Sequence, residues 1–528
     1  MRALCKSFSL FTRRLLRSDN HGILVSRYLN KIIKARENAQ LDYLKSVIET
    51  KDSNWQTIKD NVLSKPGTIT KQNIDAVILK FISAQKEFDF AYTFANYLQM
   101  SGNELNLGAI NSILNFYYEY FRRNRPTEEI RKFIIDTYKH LYDKHKVLDH
   151  YTSEALLKAL CVIDEWELSL KILDDIHLSS TPSHASYSVV IETLFRNNKK
   201  AKALEIIKKS LNDRRPLLDY AYDEWIKYVL RENKHIKGKE KYLDEICAHL
   251  ADNYIKVSEK TAERIRETFT SLHWSAKYTS VKRSSGQCVC CHQTLRDIDL
   301  SDEEFSLLQQ NVKDKLIVGS DLFLKTSPGE LDRFLKFIDR TAPYDIVLDG
   351  LNIAYTIGKS TYQEKLKVIH MVVDYFSKKN KKILLLGRKH MLKWKAPMLK
   401  ELSEKSCTFF TEDLSQDDPY FITAAILSGV NTDILSRDLL RGHKFLMKQE
   451  QLRLLFQRWQ WKHQWMLYAA RKKPILQAPL KFTPVAQKHA SGWHIPYEKG
   501  VETEENYLNN GEPDSLAWLC INKNASRS

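Results

Sequence analysis

Tyr344-Asp345-Ile346-Val347-Leu348-Asp349-Gly350-Leu351-Asn352 contains a short apolar run, Ile346 to Leu348, closed by an aspartate and a glycine. A continuous apolar run of this length predicts a central strand of a parallel sheet. Such strands deliver their last side chains to the crevice at the carboxyl edge of an open α/β sheet, where ligands bind. A carboxylate held there beside other carboxylates is costly unless a cation compensates it. The chain downstream supplies those carboxylates. Segments 382–386 and 408–410 read as further strands. Asp417-Asp418-Pro419 opens an apolar helical run at 420–427 stopped by Gly429, and acids are favoured at a helix N-terminus. Segment 432–438 is another short strand, ending in Asp438. The order strand–Asp349, helix, strand, helix, strand, Asp417-Asp418–helix, strand–Asp438 predicts a doubly wound parallel sheet with four acids at one edge. Hard oxygen ligands select Mg²⁺ or Mn²⁺, and two such ions clamp the attacking and leaving oxygens of a phosphodiester in many nucleases. Any one of the four alone reads as a turn, cap or loop acid. Together, at matching edges, they point to a metal site.

At 528 residues, with 43% hydrophobic content, the chain is expected to form more than one domain with ample cores. Its 82 lysines and arginines against 65 acids leave a net charge of +17, which favours a polyanionic partner, nucleic acid first. No apolar run approaches the length of a membrane span. Eight cysteines in so long a chain do not suggest a disulfide scaffold. Residues 1–18 carry Arg2, Lys6, Arg13, Arg14 and Arg17 with no acid, interleaved with Leu, Phe and Ser. That pattern predicts a mitochondrial transit peptide, with a basic RNA-binding arm as the alternative.

From about 68 to 272 the period is helical throughout, with a repeat. Residues 152–160 align with 186–194 at an offset of 34; the same offset pairs Leu170 with Leu204, Ile172 with Ile206 and Leu173 with Ile207. Ile78-Leu79 pairs with Ile113-Leu114, and Val190-Ile191 with Trp225-Ile226, at an offset of 35. The period predicts stacked helical hairpins, an α-solenoid, with an insertion around 122–149. The repeats resemble pentatricopeptide repeats, which implies RNA binding; a peptide-binding tetratricopeptide array is the alternative, and the net charge favours RNA.

Cys288-Val289-Cys290-Cys291 offers a C-x₂-C pair, which needs two more ligands for a tetrahedral zinc site. His494, in Gly492-Trp493-His494-Ile495-Pro496, and Cys520 are the candidates. With Cys288 and Cys291 they would make a structural Cys₃His site closing a loop of roughly two hundred residues around the α/β segment. The bland alternative is a core cysteine and a packed histidine. Between Asp374 and Glu401, and again from 451 to 497, there is no acid but many lysines and arginines. These stretches read as phosphate-binding walls flanking the carboxylates, with Trp459, Trp461 and Trp465 as sheet-packing or base-stacking residues.

Val347-Leu348-Asp349-Gly350-Leu351-Asn352, Leu386-Gly387-Arg388-Lys389-His390-Met391-Leu392, Asp417-Asp418-Pro419, Ser436-Arg437-Asp438-Leu439 and Gly492-Trp493-His494-Ile495-Pro496 together resemble the protein-only ribonuclease P family, in its animal mitochondrial form. The resemblance spans the chain. It implies a multidomain fold: a transit peptide and extension at 1–40, a pentatricopeptide-repeat domain at 68–272, a split zinc-binding module at 273–341 and 485–528, and an α/β NYN-type (PIN-like) metallonuclease domain at 342–484. The activity implied is removal of the 5′ leader from precursor tRNA in the mitochondrial matrix. The implied catalytic ligands of Mg²⁺ are Asp349, Asp417, Asp418 and Asp438, and those of Zn²⁺ are Cys288, Cys291, His494 and Cys520. The implied partners are a tRNA methyltransferase subunit and a short-chain dehydrogenase subunit. Asn352 is expected to orient a ligand or the substrate, and Arg388, Lys389, His390, Arg437 and His443 to lie near the RNA. Gly442, before His443, departs from the family pattern of an acid there, which leaves the role of His443 open. The competing functions are a non-catalytic RNA-binding adaptor and a PIN-like endonuclease acting on other RNAs.

Overall fold

The computed structural model describes residues 39–101, 104–297, 299–312, 328–394, 396–412, 417–437, 450–470, 473–499 and 516–523. The expected transit peptide, Asp438 and His443 lie outside them. Two compact units divide the chain, 1–228 and 229–528.

The first unit is built from helices in chain order: α1 (Trp55–Ser64), α2 (Ile74–Ala84), α3 (Phe88–Met100), α4 (Leu107–Phe121), α5 (Glu128–Lys144), α6 (His150–Val162), α7 (Trp166–Ser179), α8 (His184–Arg196), α9 (Lys200–Asn212) and the start of α10 (Asp219–Glu232). The 34-residue offset reappears as turn chemistry. Asp164 and Asn198, 34 apart, both take positive φ (61° and 59°) after the first helix of a hairpin. The next backbone N–H in each case returns to the helix end, Glu165 to Leu160 O at 3.0 Å and Lys199 to Leu194 O at 2.8 Å. These are left-handed caps that reverse the chain tightly. Side chains of Asp149 and Ser183, again 34 apart, cap α6 and α8 at their N-termini. The paired apolar positions Leu156/Val190, Leu160/Leu194, Ile172/Ile206 and Leu173/Ile207 are all buried. Leu204, matched with Leu170, is instead 38% exposed. The expected insertion at 122–149 shows as a longer repeat: the N-caps Asn106 of α4 and Asp149 of α6 are 43 apart, against 34 for Asp149 and Ser183, and α5, 17 residues long, occupies the added length and buries Ile130, Ile134 and Leu141.

In the second unit come α11 (Ile236–Asp252), β1 (Val257–Ser258), α12 (Glu259–Ser271), β2 (Ser275–Thr279), α13 (Asp302–Asn311), α14 (Pro328–Thr341), β3 (Ile346–Asp349), α15 (Gly350–Ala354), α16 (Tyr362–Ser377), β4 (Ile383–Arg388), α17 (Ala396–Lys405), β5 (Cys407–Thr411), α18 (Asp417–Ser428), β6 (Asp433–Leu435), α19 (Glu450–His463), β7 (Gln464–Ala470), β8 (Lys473–Gln477), β9 (Gln487–His489), β10 (Gly492–Glu498) and β11 (Leu516–Asn522). A small sheet has the order β1-β10-β11-β2, with β9 also on β10. The helical domain expected to run to 272 therefore ends earlier. Helix α11 is tied to this sheet: Asp244 accepts from the Trp493 indole at 2.7 Å and pairs with Lys488, and Glu240 accepts from the Trp274 indole at 2.8 Å.

The larger sheet has the order β5-β4-β3-β6-β7-β8. Its strands run parallel from β5 to β7, and β8 returns antiparallel on β7. Strand β3 is central, with Ile346 opposite Ile383 of β4 and Asp433 of β6. Alternation decides what each face buries. Val347, Leu384 and Ile434 enter one core with Phe305 and Leu308 of α13, Phe334 and Ile338 of α14, and Phe421 of α18. Ile346, Leu348, Ile383, Leu385 and Leu435 enter the opposite core with Ile353 of α15 and Leu366, Ile369 and Val373 of α16. The result is a three-layer α/β/α unit. Its core takes in α13 and α14, so the α/β domain begins well before the boundary expected at 342; the apolar stripes of those helices would otherwise face water.

Gly350 opens α15 where the chain turns across β4. A Cβ there would stand 2.6 Å from the Leu386 carbonyl oxygen, which is backbone and cannot swing away. Gly350→Ala is expected to cost roughly 1–3 kcal/mol of stability as overpacking, read as a lowered urea midpoint with unchanged slope.

Candidate functional site at the carboxyl edge, and a four-donor cluster

Strand β3 ends in Asp349, which is 8% exposed and serves as the N-cap of α15. One carboxylate oxygen accepts the Asn352 backbone N–H at 2.9 Å; the other accepts the Ser436 hydroxyl at 3.2 Å. Asn352 in turn accepts the Arg437 backbone N–H through Oδ1 at 2.9 Å. The end of β3 is thus bound to the chain leaving β6, two residues before Asp438. A narrow cleft at this edge is lined by Asp349, Leu386, Gly387, Thr411, Tyr420 and Phe421. Tyr420 and Phe421 belong to the first turns of α18, the helix that Asp417 and Asp418 begin. Among the predicted acids, then, Asp349 is described at the carboxyl edge. Asp417 and Asp418 start the helix that bounds the same cleft, and Asp438 falls outside the described residues.

The predicted basic residues divide. Arg388 ends β4, and Lys389 and His390 lie in the 3₁₀ turn Lys389–Lys393 that follows it, at the same edge as Asp349. Lys389 pairs with Glu412. Arg437 is exposed beside Asn352. In both acid-free stretches the charges are partly structural: Lys381 of the first pairs with Asp345 at 3.2 Å, and in the second Arg458 pairs with Glu304 at 2.7 Å, Lys462 with Asp299, and Lys488 with Asp244. Trp459 and Trp461 are buried, and the Trp465 indole donates to Asp433 at 2.8 Å. The tryptophans are core residues, and a sequence without long-range pairings could not separate neutralised from free charge.

Cys288, Cys291, His494 and Cys520 meet with their donor atoms all within 4.8 Å of one another. Register explains half of this: His494 and Cys520 are direct cross-strand partners on β10 and β11. A turn held by the bridge between Val281 and Cys288 brings the C-x₂-C pair across. His494 Nε2 lies 3.1 Å from Cys291 Sγ. Cys290 is exposed and takes no part. Burial, reinforced by the adjacent His489, pushes His494 down to about 4, so its ring is neutral and keeps a lone pair at neutral pH. Burial and the neighbouring Cys288 and Cys291 push the Cys520 thiol up. Three thiols this close resist ionising together without a cation among them. Three sulfurs and one imidazole nitrogen match the donor set of a closed tetrahedral zinc site. Two further contacts support the sulfurs: Asn522 donates to Cys520 Sγ at 3.1 Å, and the Thr279 hydroxyl lies 3.6 Å from Cys288 Sγ. Nothing in the linear sequence marks Thr279 or Asn522, because only strand pairing brings them to the sulfurs.

This arrangement defines a helical-repeat, multidomain protein whose α/β unit carries a buried carboxylate at the end of its central strand. Residues 282–520 match the family model of protein-only RNase P. The mitochondrial ribonuclease P catalytic subunit of Mus musculus is 30% identical over 404 residues, 74% of this chain and 66% of the mouse protein. That of Rattus norvegicus is 27% identical over 481 residues, 89% of this chain and 78% of the rat protein. The crystal structure of nuclear proteinaceous RNase P 2 from A. thaliana superposes with a TM-score of 0.56 over 86% of this chain and 100% of that one; at 17% identity this likeness concerns the fold. The chain belongs to the protein-only RNase P family.

Ser436→Ala removes a fully buried hydroxyl from the Asp349 carboxylate. It is expected to lower stability by about 1–3 kcal/mol, the cost of a charge-assisted hydrogen bond, in equilibrium unfolding with urea.

Proposed function

We propose that this chain is the endoribonuclease that removes the 5′ leader of mitochondrial precursor tRNAs, leaving a 5′-phosphate on the tRNA and a 3′-hydroxyl on the leader. The observation that carries the reading is Asp349, a nearly buried carboxylate fixed at the carboxyl end of the central strand and bonded to the segment that leads into Asp438. Family membership supports the substrate class, and the net charge of +17 supports a polyanion. In this reading Asp349, Asp417, Asp418 and Asp438 hold two Mg²⁺ or Mn²⁺ ions. The chemistry those ions supply when bound is an activated water and neutralisation of the leaving 3′ oxygen.

The residues of the chain do the rest. The Asn352 amide and the Ser436 hydroxyl orient the Asp349 carboxylate, so its ligating lone pairs have one direction. Arg388, Lys389 and Arg437 offer cations to the phosphates on either side of the cut. No serine or cysteine nucleophile is required. The helical hairpins, read as pentatricopeptide repeats, hold the folded tRNA by shape. Cys288, Cys291, His494 and Cys520 hold one structural Zn²⁺ that clasps the strands flanking the α/β unit. The working assembly includes a tRNA methyltransferase subunit and a short-chain dehydrogenase subunit, in the mitochondrial matrix.

Full-length protein incubated with both partner subunits and one precursor tRNA is expected to cut at the 5′ boundary with Mg²⁺ and not with EDTA. Asp349→Asn should lower the rate by at least roughly 10²–10³-fold, as loss of a central electrostatic group does, while tRNA affinity stays the same. Retained cleavage in this variant would remove Asp349 from the metal assignment. Elemental analysis is expected to find one zinc per chain in the wild type and a loss of zinc in Cys291→Ser, together with a lowered melting temperature. Zinc content unchanged in that variant would refute the ligand set.

A further inference from the structure

Lys365, in the first turns of α16, is 6% exposed, yet among the described residues it makes no ion pair. A buried ammonium without a carboxylate needs another source of negative potential. Three aromatic rings supply it: Lys365 Nζ lies 3.6 Å from the centroid of Tyr355, 5.6 Å from that of Tyr362 and 6.0 Å from that of Trp394. The cage draws on separate segments: Tyr355 is the C-cap of α15, Tyr362 is the first residue of α16, and Trp394 caps the 3₁₀ turn after β4. Tyr362 and Trp394 are stacked, with centroids 5.2 Å apart and planes at 17°. Trp394 is nearly buried, whereas Tyr355 is 47% exposed and Tyr362 58% exposed. Each tyrosine therefore has one face backed by the protein and much of its remaining surface open to solvent.

The cage also has a definite place. Asp349 is the N-cap and Tyr355 the C-cap of the same short helix. At about 1.5 Å rise per residue they stand roughly 9 Å apart along it, which is about two or three stacked nucleotides at 3.4 Å each. The 3₁₀ turn that contributes Trp394 carries Lys389 and Lys393 and leaves β4 at the same carboxyl edge. Exposed rings beside cations, a few nucleotides from a carboxylate at a strand end, suit unpaired bases, whose π-faces stack on aromatic side chains whatever their identity.

We propose that Tyr355 and Tyr362, braced by Lys365 and Trp394, form a stacking platform for unpaired nucleotides of the leader strand as it leaves the Asp349 cleft. The assignment to the leader rests on the function proposed above. In a precursor tRNA the first nucleotides of the mature body are paired in the acceptor stem, so on the strand that is cut the bases with open faces are those upstream of the cut. The tyrosines are positioning residues for the substrate and touch no reacting atom.

The test uses the full chain with its two partner subunits. The probes are a precursor tRNA carrying 2-aminopurine in the leader just upstream of the cut, a short single-stranded RNA with the same label, and mature tRNA without a leader. Stacking is expected to quench the label on binding. Tyr355→Ala with Tyr362→Ala should remove the quench and raise KM for the precursor roughly tenfold to a hundredfold, the loss of one or two stacked bases. In that variant kcat, affinity for mature tRNA and zinc content should stay as in the wild type, and Tyr355→Phe with Tyr362→Phe should restore quench and KM. An unchanged quench and KM in the alanine variant, with correct cleavage, overturns the platform and leaves the proposed function standing. Unchanged RNA readouts with loss of the response to added partner subunits overturns it in favour of a protein-docking face. If the wild type cuts no precursor tRNA at its 5′ boundary yet quenches the labelled single strand through these tyrosines, the platform stands and the leader-removal reading falls.

Discussion

A carboxylate nearly withdrawn from water sits between two strand ends, and much of the α/β unit is arranged to keep it there. Asp349 takes hydrogen bonds from the amide of Asn352 on its own side and from the hydroxyl of Ser436 across the sheet. Asn352 then holds the Arg437 amide. The two chain ends leaving β3 and β6 are thereby locked to each other at the carboxyl edge, beside the cleft that Asp349 lines. The Asp349 carboxylate keeps one orientation because both oxygens are engaged. The glycine that follows is part of the same constraint, since the helix start must pass close over the Leu386 carbonyl.

A second constraint acts at longer range. His494 and Cys520 face each other across β10 and β11, and Cys291 reaches His494 from 203 positions earlier. The turn and the strands that carry these donors precede and follow the α/β unit, so the cluster brings together the two places where the chain enters and leaves it. The salt bridges and indole hydrogen bonds from α11 to the same small sheet add that helix to the tie.

Much of this was legible beforehand, and the reason differs by element. The run Ile346–Leu348 closed by Asp-Gly is buried on both faces, so composition alone marks it as a central strand, and parallel order followed from the alternation of strands with helical stretches. The 34-residue offset survived because each hairpin repeats the same left-handed turn and the same cap. What did not show was pairing. Two acid-free stretches read as uncompensated charge in sequence, yet Lys381 and Lys389 in the first and Arg458, Lys462 and Lys488 in the second are engaged by acids brought from elsewhere in the chain. Domain edges were blurred for the same reason: α13 and α14 carry stripes that any apolar partner would satisfy, and only packing reveals that the partner is the sheet.

The sequence by itself determined the strand that ends in Asp349 and the repeat of the helices, because both are encoded locally by period and residue chemistry. The tertiary structure alone decided that Ser436 and Asn352 grip that aspartate, that Thr279 and Asn522 attend the sulfurs, and that Lys365 lies under three aromatic rings. Those contacts join side chains from separate elements, and which residues meet depends on strand register and helix packing, which no local pattern records.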